Sequence, residues 1–129
     1  NASNLKNNYN TVKQWSYAEE KIVQTDLQFC GLVMGDYSKS SIGSMFNTAS
    51  VVGVCANIFG QGLTPKFIPS FSWGSNEETT FDLEKAVEMI ERVMVSRDIE
   101  LSVKDSLNLV KIFEESSKHR KWEQQQKNK

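Results

Sequence analysis

A repeat of six residues between Met34 and Leu63 is the sequence feature that most limits the folds open to this chain. Met34 and every sixth residue after it are large and apolar except for one serine, and the residues four positions further on are all small. The first series is Met34, Ser40, Phe46, Val52 and Ile58, and the second is Ser38, Ser44, Ser50, Ala56 and Gly62. An amphipathic helix repeats its apolar residues every three or four positions, and a half-buried strand every two. A period of six is instead typical of a parallel β-helix built from hexapeptide repeats.

In such a β-helix each hexad would form one short face of a narrow prism, and three hexads would complete a coil. The bulky residue would point into the prism and the small residue would fit near the corner. Gly35, Asn47 and Gly53 follow the bulky series by one position and favour turn backbone. The alternative is a chance alternation in a serine-rich strand region. This alternative stays open because Ser40 occupies one position of the apolar series.

Length, charge and cysteine content narrow the class of protein. The 129 residues fit one domain, and 15 basic against 16 acidic residues give no global field that would attract nucleic acid or an anionic membrane. Two cysteines are too few for a disulfide scaffold, and no zinc-spaced cluster accompanies them. No apolar run approaches the length of a membrane span. The sequence therefore predicts a soluble, cytoplasmic protein with no nucleic-acid or membrane partner.

The segments around the repeat divide the chain into two predicted domains. The abrupt, asparagine-rich start predicts a β-helix truncated at its N-terminal side, with a polar loop at about 16–26 and a return to the core over 26–34. Over 67–73, Phe67, Pro69, Phe71 and Trp73 alternate with Ile68, Ser70 and Ser72. Two prolines and this aromatic spacing of two predict an extended segment that leaves the prism and either caps its core or offers a ligand platform. A β-helix over 1–74 and a helical extension over 75–129 are expected.

Two amphipathic helices are predicted in the extension. Apolar residues recur at helical spacing from Leu83 to Met94, with Asp82 or Thr80 available as the N-cap. A second helix begins near Ser102, which resembles the start of a capping box. Its apolar stripe is Val103, Leu107, Val110 and Phe113.

The tail from 114 to 129 is polar nearly all round and predicts a solvated helix extension. Its basic cluster is Lys118, His119, Arg120 and Lys121. These side chains are expected to face water, and a binding patch is the alternative. His119, the only histidine, is not predicted to be catalytic because it lies in this tail. Phosphate-cradling glycine loops, a nucleophile elbow and a Cys/His pair of plausible spacing are missing from the sequence.

Two long runs of sequence resemble a known family. These are LQFCGLVMGDYSKSSIGSMFNTASVVGVCANIFGQG over 27–62 and FIPSFSWG over 67–74. They closely resemble the C-terminal region of a family of sugar nucleotidyltransferases that is similar to the bifunctional uridyltransferase and acetyltransferase that makes UDP-N-acetylglucosamine. The resemblance implies a left-handed parallel β-helix that is usually trimeric and is followed by two helices. It also implies a preceding nucleotidyltransferase domain, which would use Mg²⁺ and lies outside this sequence.

The resemblance also suggests three site residues. An asparagine in an N-Y-D-G turn of the bifunctional relative contacts the amino sugar, and the equivalent turn here is Asn4-Leu5-Lys6-Asn7, which keeps only the asparagine. Backbone groups that hold acetyl-CoA would fall near Ile42 and Gly60, although the relative has a serine at the first position. The relative's catalytic histidine lies on an earlier coil, before this sequence begins. The sequence thus predicts a homotrimer assembly region, with an acetyl-CoA-dependent acyltransferase acting on an amino-sugar phosphate as the alternative.

Overall fold

The computed structural model describes residues 1–76 and 78–128, which hold eleven short strands and three α-helices. The strands are β1 (Ala2–Ser3), β2 (Lys13–Ser16), β3 (Lys21–Gln24), β4 (Val33–Met34), β5 (Lys39–Ser40), β6 (Met45–Phe46), β7 (Val51–Val52), β8 (Asn57–Ile58), β9 (Phe67–Ile68), β10 (Ser72–Trp73) and β11 (Thr79–Thr80). The helices are α1 (Leu83–Val95), α2 (Val103–Ser116) and α3 (Lys121–Lys127), and a 3₁₀ turn over Ser117–His119 joins the last two. The chain is therefore a mixed β and α structure, with the strands first.

Most of the strands stack in three separate sheets with parallel pairing. The first sheet pairs β1 with β6 and continues through a bridge from Met45 to Leu63. The second sheet has the order β4-β7-β9, and the third has the order β11-β10-β8-β5, in which only β11 is antiparallel. Strands β4, β5 and β6 follow one another in the chain but lie in three different sheets, and β7 then pairs with β4. The chain thus visits the second, third and first sheets in turn before it returns to the second, and we call one such circuit a coil.

The register of these pairs matches the sequence repeat. Val33 pairs with Val51 and Lys39 with Asn57, so that both pairs join residues 18 positions apart, which is three hexads. Val51 pairs in turn with Phe67, only 16 positions further on. Residues 67–73, predicted to leave the prism, instead supply strands β9 and β10 to the second and third sheets. That prediction was wrong because Pro65 precedes β9 and Pro69 lies between β9 and β10, so the prolines leave the strand positions free to pair.

The apolar series supplies the core inside the coils. Phe46, Val52 and Ile58 are 3%, 2% and 2% exposed and pack together with Ala56 and Ile68. Met34, the first member, is exposed because β4 stands at the edge of its sheet.

The small series includes a side chain that links successive turns of the chain. Ser38 Oγ donates a hydrogen bond to the Gly53 carbonyl at 2.6 Å and accepts one from the Ala56 N–H at 2.9 Å. These bonds satisfy the Gly53 carbonyl and the Ala56 N–H, which lie at the corner between two short strands.

The turn backbone lies at different positions from those predicted. Positive φ angles recur every six residues, at Tyr37, Gly43, Ala49 and Cys55, where three of the four residues are not glycine. Gly35 and Gly53 are needed for a different reason, because a Cβ on Gly53 would lie 2.4 Å from the Ser70 backbone nitrogen. The predicted glycine positions therefore mark close contact between coils rather than left-handed backbone.

An excursion separates β1 from the rest of the stack. Ala2 pairs with Met45, 43 positions further on, which exceeds the usual 18 by 25 residues. Most of the additional chain forms a hairpin in which β2 and β3 pair antiparallel around a turn at 17–20. The predicted loop at 16–26 is thus the turn and second strand of this hairpin. Leu27 and Phe29, predicted to return to the core, are more than half exposed.

The helices cover one corner of the stack. Asp82 caps α1 by accepting a hydrogen bond from the Lys85 N–H, and Ser102 caps α2 by accepting one from the Asp105 N–H, as predicted. The buried residues joining helices and coils are Cys55, Phe71, Phe81, Ala86, Ile90 and Leu109.

The predicted buried stripe of α2 was largely wrong. Val103 is 78% exposed and Leu107 is 64% exposed, whereas Leu109 is buried and Phe113 packs against the shared core. Helix α2 carries two apolar faces, and the coils cover the face that contains Leu109.

Candidate functional site

Arg120 joins the helical extension to the coils. Its side chain is fully buried, and Nη1 donates to the Ser70 carbonyl at 3.2 Å and to Ser116 Oγ at 2.7 Å. Nη2 donates to the Phe113 carbonyl at 2.9 Å, and Nε bonds the Glu123 carboxylate at 2.7 Å. The prediction that the basic cluster is solvated was therefore wrong for Arg120, whose buried charge is paired and hydrogen-bonded.

Four aromatic side chains cluster where the hairpin, the second sheet and the 3₁₀ turn meet. Trp15 and Phe67 stack with their ring centroids 4.1 Å apart and their planes 7° apart. The His119 ring meets the rings of Trp15, Tyr17 and Phe67 edge-on, with centroids 5.6 to 5.9 Å away. This aromatic cluster holds the tip of the hairpin against the helical extension.

A cleft of about 640 Å³ opens beside the aromatic cluster. Its floor is the outward side of the second sheet, where Val33 and Val51 lie, and helix α2 forms one wall through Ile112. Tyr17 and His119 line the same cleft. The excursion of the chain before β4 is what brings the hairpin tip over this sheet.

Two ion pairs lie at the rim of the cleft. The Lys118 ammonium contacts the Glu20 carboxylate, linking the 3₁₀ turn to the hairpin tip, and Lys111 pairs with Glu115 along α2 at 3.8 Å. The hydrogen bond and the charge of Lys118 lower the pKa of Glu20. Both pairs are exposed, so they neutralise the rim rather than stabilise the fold strongly.

The pKa values of Tyr17 and His119, which line the cleft, are also shifted. Partial burial raises the pKa of Tyr17. Burial lowers the pKa of His119 below its usual 6.5, and the nearby charge of Lys118 acts in the same direction. Both rings are therefore neutral at pH 7.

The lowered pKa of His119 predicts a pH dependence of stability. The unfolded chain takes up a proton at His119 at a higher pH than the folded chain, so stability is fully present above about pH 6.5 and declines as the pH falls from there through the folded-state pKa. Denaturant unfolding between pH 7.5 and 5.5 should show this decline. His119→Phe keeps an aromatic ring and should flatten it, and an equally steep decline in that variant would assign it to other groups.

The three site residues suggested by the sequence lie away from this cleft. Asn4 is exposed and follows β1, where its N–H donates to the Phe46 carbonyl at 2.9 Å. Ile42 is fully exposed between β5 and β6, and Gly60 lies in the corresponding turn after β8 with a φ of 133°. The strand register brings Ile42 and Gly60 to the same corner in successive coils, and Asn4 lies next to the neighbouring sheet.

Sequence reasoning missed the aromatic cluster and the cleft. Trp15, Phe67 and His119 come from three distant segments, and no periodicity joins them. The only available signal was the presence of Trp15 and Tyr17 in an otherwise polar stretch. In residues 1–76 and 78–128 no group of three or more His, Cys, Asp or Glu side chains could hold a metal ion. None of the helices in these ranges has the length and apolar character needed to cross a membrane.

Comparison with known proteins adds no relative: no family model matches the chain, and no significant match was found among curated proteins or solved structures.

Proposed function

We propose that the stacked coils form a left-handed parallel β-helix. Three observations support this fold: the visit to three sheets in turn, the pairing of residues 18 positions apart, and the positive φ angles every six residues. The left hand comes from the family resemblance of the sequence at 27–62 and 67–74.

We propose further that this β-helix is the homotrimer assembly region of a sugar-1-phosphate nucleotidyltransferase. The observation that carries the assembly role is the outward side of the first sheet, where Ala2, Met45 and Leu63 lie in register. Met45 is 46% exposed and Leu63 is 54% exposed, and Ile42 at the adjoining corner is 103% exposed. We call this surface the apolar face.

A second copy of the chain is the occupant that best fits the apolar face. The second sheet is already partly covered by the hairpin and α2, and at the third sheet Trp73 contacts Phe59 and Phe81. Met45 and Leu63 of the first sheet are about half exposed, whereas the exposed valine of the second sheet, Val33, lies inside the cleft. Flat faces of a three-sided coil can meet around a threefold axis, and burial of these side chains would favour that arrangement.

The chemistry in this proposal belongs to a part of the protein outside these 129 residues. The resemblance supports a nucleotidyltransferase domain that transfers a nucleotide to a sugar phosphate with Mg²⁺. The β-helix would hold three such domains together in the cytoplasm, which suits the two unpaired cysteines, Cys30 and Cys55.

The double substitution Met45→Glu and Leu63→Glu tests the assembly role. Each carboxylate would have to be buried without a partner in the trimer, so the variant is expected to be a monomer by light scattering. Asn108→Glu places one such carboxylate on the exposed side of α2 and should leave the trimer intact. Circular dichroism checks that both variants fold. Equal masses for the wild type and the folded double variant would contradict the role of the apolar face.

An acetyl-CoA-dependent acyltransferase acting on an amino-sugar phosphate is the second candidate. The observation that favours it is the stacking of Ile42 and Gly60 at one corner in successive coils, where backbone groups could hold acetyl-CoA. Calorimetry of the full-length protein with acetyl-CoA separates the two functions, since assembly alone predicts no heat of binding. If transfer occurs, Asn4→Ala should weaken it, and normal transfer by that variant would remove Asn4 from the site.

A further inference from the structure

We infer that the cleft between the second sheet and helix α2 binds an uncharged, mainly apolar small molecule that carries one hydrogen-bonding group. The volume of about 640 Å³ lies within the range of small-molecule sites, which is roughly 300 to 1,000 Å³. Ala2, Met45 and Leu63 of the apolar face are not among the residues that line the cleft. The inference therefore does not depend on the proposed trimer or on nucleotide chemistry.

The floor of the cleft is apolar. Val33, Val51, Val54 and Ile112 line it, and Val33, on the edge strand β4, is 53% exposed. Exposed valine in a concave surface favours a ligand that removes it from water, because burial of apolar surface is favourable. The body of the ligand is therefore apolar.

The charges around the cleft are already balanced. Lys118 pairs with Glu20 and Lys111 with Glu115, and His119 is neutral at pH 7. A charged ligand would leave water without gaining an unpaired counter-charge, which is unfavourable. Charge complementarity therefore selects an uncharged ligand.

Two polar groups are available to orient that ligand. The Tyr17 hydroxyl and the His119 imidazole both line the cleft, and within residues 1–76 and 78–128 neither makes a hydrogen bond. Their ring centroids are 5.9 Å apart, so one polar group on a ligand can reach either of them. A hydroxyl and a neutral imidazole each donate and accept, and a phenol-like hydroxyl on the ligand suits both.

Three probes of nearly the same shape test the charge preference. These are p-cresol, p-toluate and 4-methylbenzylamine, which are neutral, anionic and cationic at pH 7. Amide chemical shifts of the ¹⁵N-labelled protein are followed during each titration. Changes centred on Tyr17, Val51 and His119 are expected with p-cresol. The affinities for the two charged probes should be lower than the affinity for p-cresol by about tenfold or more. Equal binding of all three probes, or p-cresol shifts centred elsewhere, would overturn the inference.

Two variants test the assigned residues. Val33→Glu places a carboxylate on the floor and should weaken p-cresol binding by about tenfold or more, while Val103→Glu, on the exposed side of α2, should not change it. Tyr17→Phe removes only the hydroxyl and should weaken binding by about fivefold. The unbound spectra show whether each variant is folded. Unchanged p-cresol affinity in a folded Val33→Glu protein would exclude this cleft as the site.

Discussion

Replacing Arg120 with alanine is expected to destabilise the protein more than any other single substitution in the helical extension. The change removes a fully buried guanidinium and leaves the Ser70 and Phe113 carbonyls without their donor. Breaking a buried pair of this kind costs about 3–5 kcal/mol. Denaturant unfolding at a fixed protein concentration measures the loss, since the proposed assembly makes stability depend on concentration.

The neighbouring basic residue provides the control for Arg120. Lys121 is exposed at the start of α3, so Lys121→Ala should change the free energy of unfolding by less than about 0.5 kcal/mol. Similar stabilities for the two alanine variants would mean that the guanidinium does not join the helices to the coils.

Replacing Gly53 with alanine is expected to destabilise the coils by about 3 kcal/mol, the upper end of the usual cost of overpacking. The added Cβ would lie 2.4 Å from the Ser70 nitrogen and 2.7 Å from the Ser70 Cα. These are backbone atoms of the next coil, so relief requires the coils to separate. The midpoint of denaturant unfolding should fall accordingly.

Gly31 offers a matched glycine-to-alanine control. A Cβ there would lie 3.2 Å from Leu5 Cδ2, the end of a side chain that is more than half exposed and can move away. Gly31→Ala should therefore be nearly neutral, or slightly stabilising because alanine restricts the unfolded chain. If Gly53→Ala were equally harmless, the close approach of the coils at Gly53 would be contradicted.

The spacing of the strands could be predicted because it depends on local residues. Each inward side chain of the apolar series recurs six positions later, and three hexads set the distance between paired strands. The helix starts at Asp82 and Ser102 were predictable for the same reason, since a cap is a contact within four residues.

Features that depend on distant contacts could not be predicted. Helix α2 has two apolar faces, and periodicity does not tell which one meets Phe71 and Phe81. The polar tail predicts that Arg120 is solvated, because the sequence does not show that the carbonyls of Ser70 and Phe113 bind its guanidinium.

The candidate cleft was missed for a related reason. It needs the hairpin tip, the second sheet and the 3₁₀ turn together, and Tyr17 and His119 are separated by more than a hundred residues. The sites suggested at Asn4, Ile42 and Gly60 come from the resemblance alone and remain predictions. Their positions at the corners of the coils follow from the strand register.

Sedimentation equilibrium of the unmodified chain tests the central claim, assembly through the apolar face, most directly. A trimer gives a mass of three times the monomer value of 14.7 kDa, and we expect it to dissociate when Met45 and Leu63 become glutamate. A mass of 14.7 kDa across the measured concentrations would contradict it, because Met45, Leu63 and Ile42 would then stay exposed with no partner to cover them.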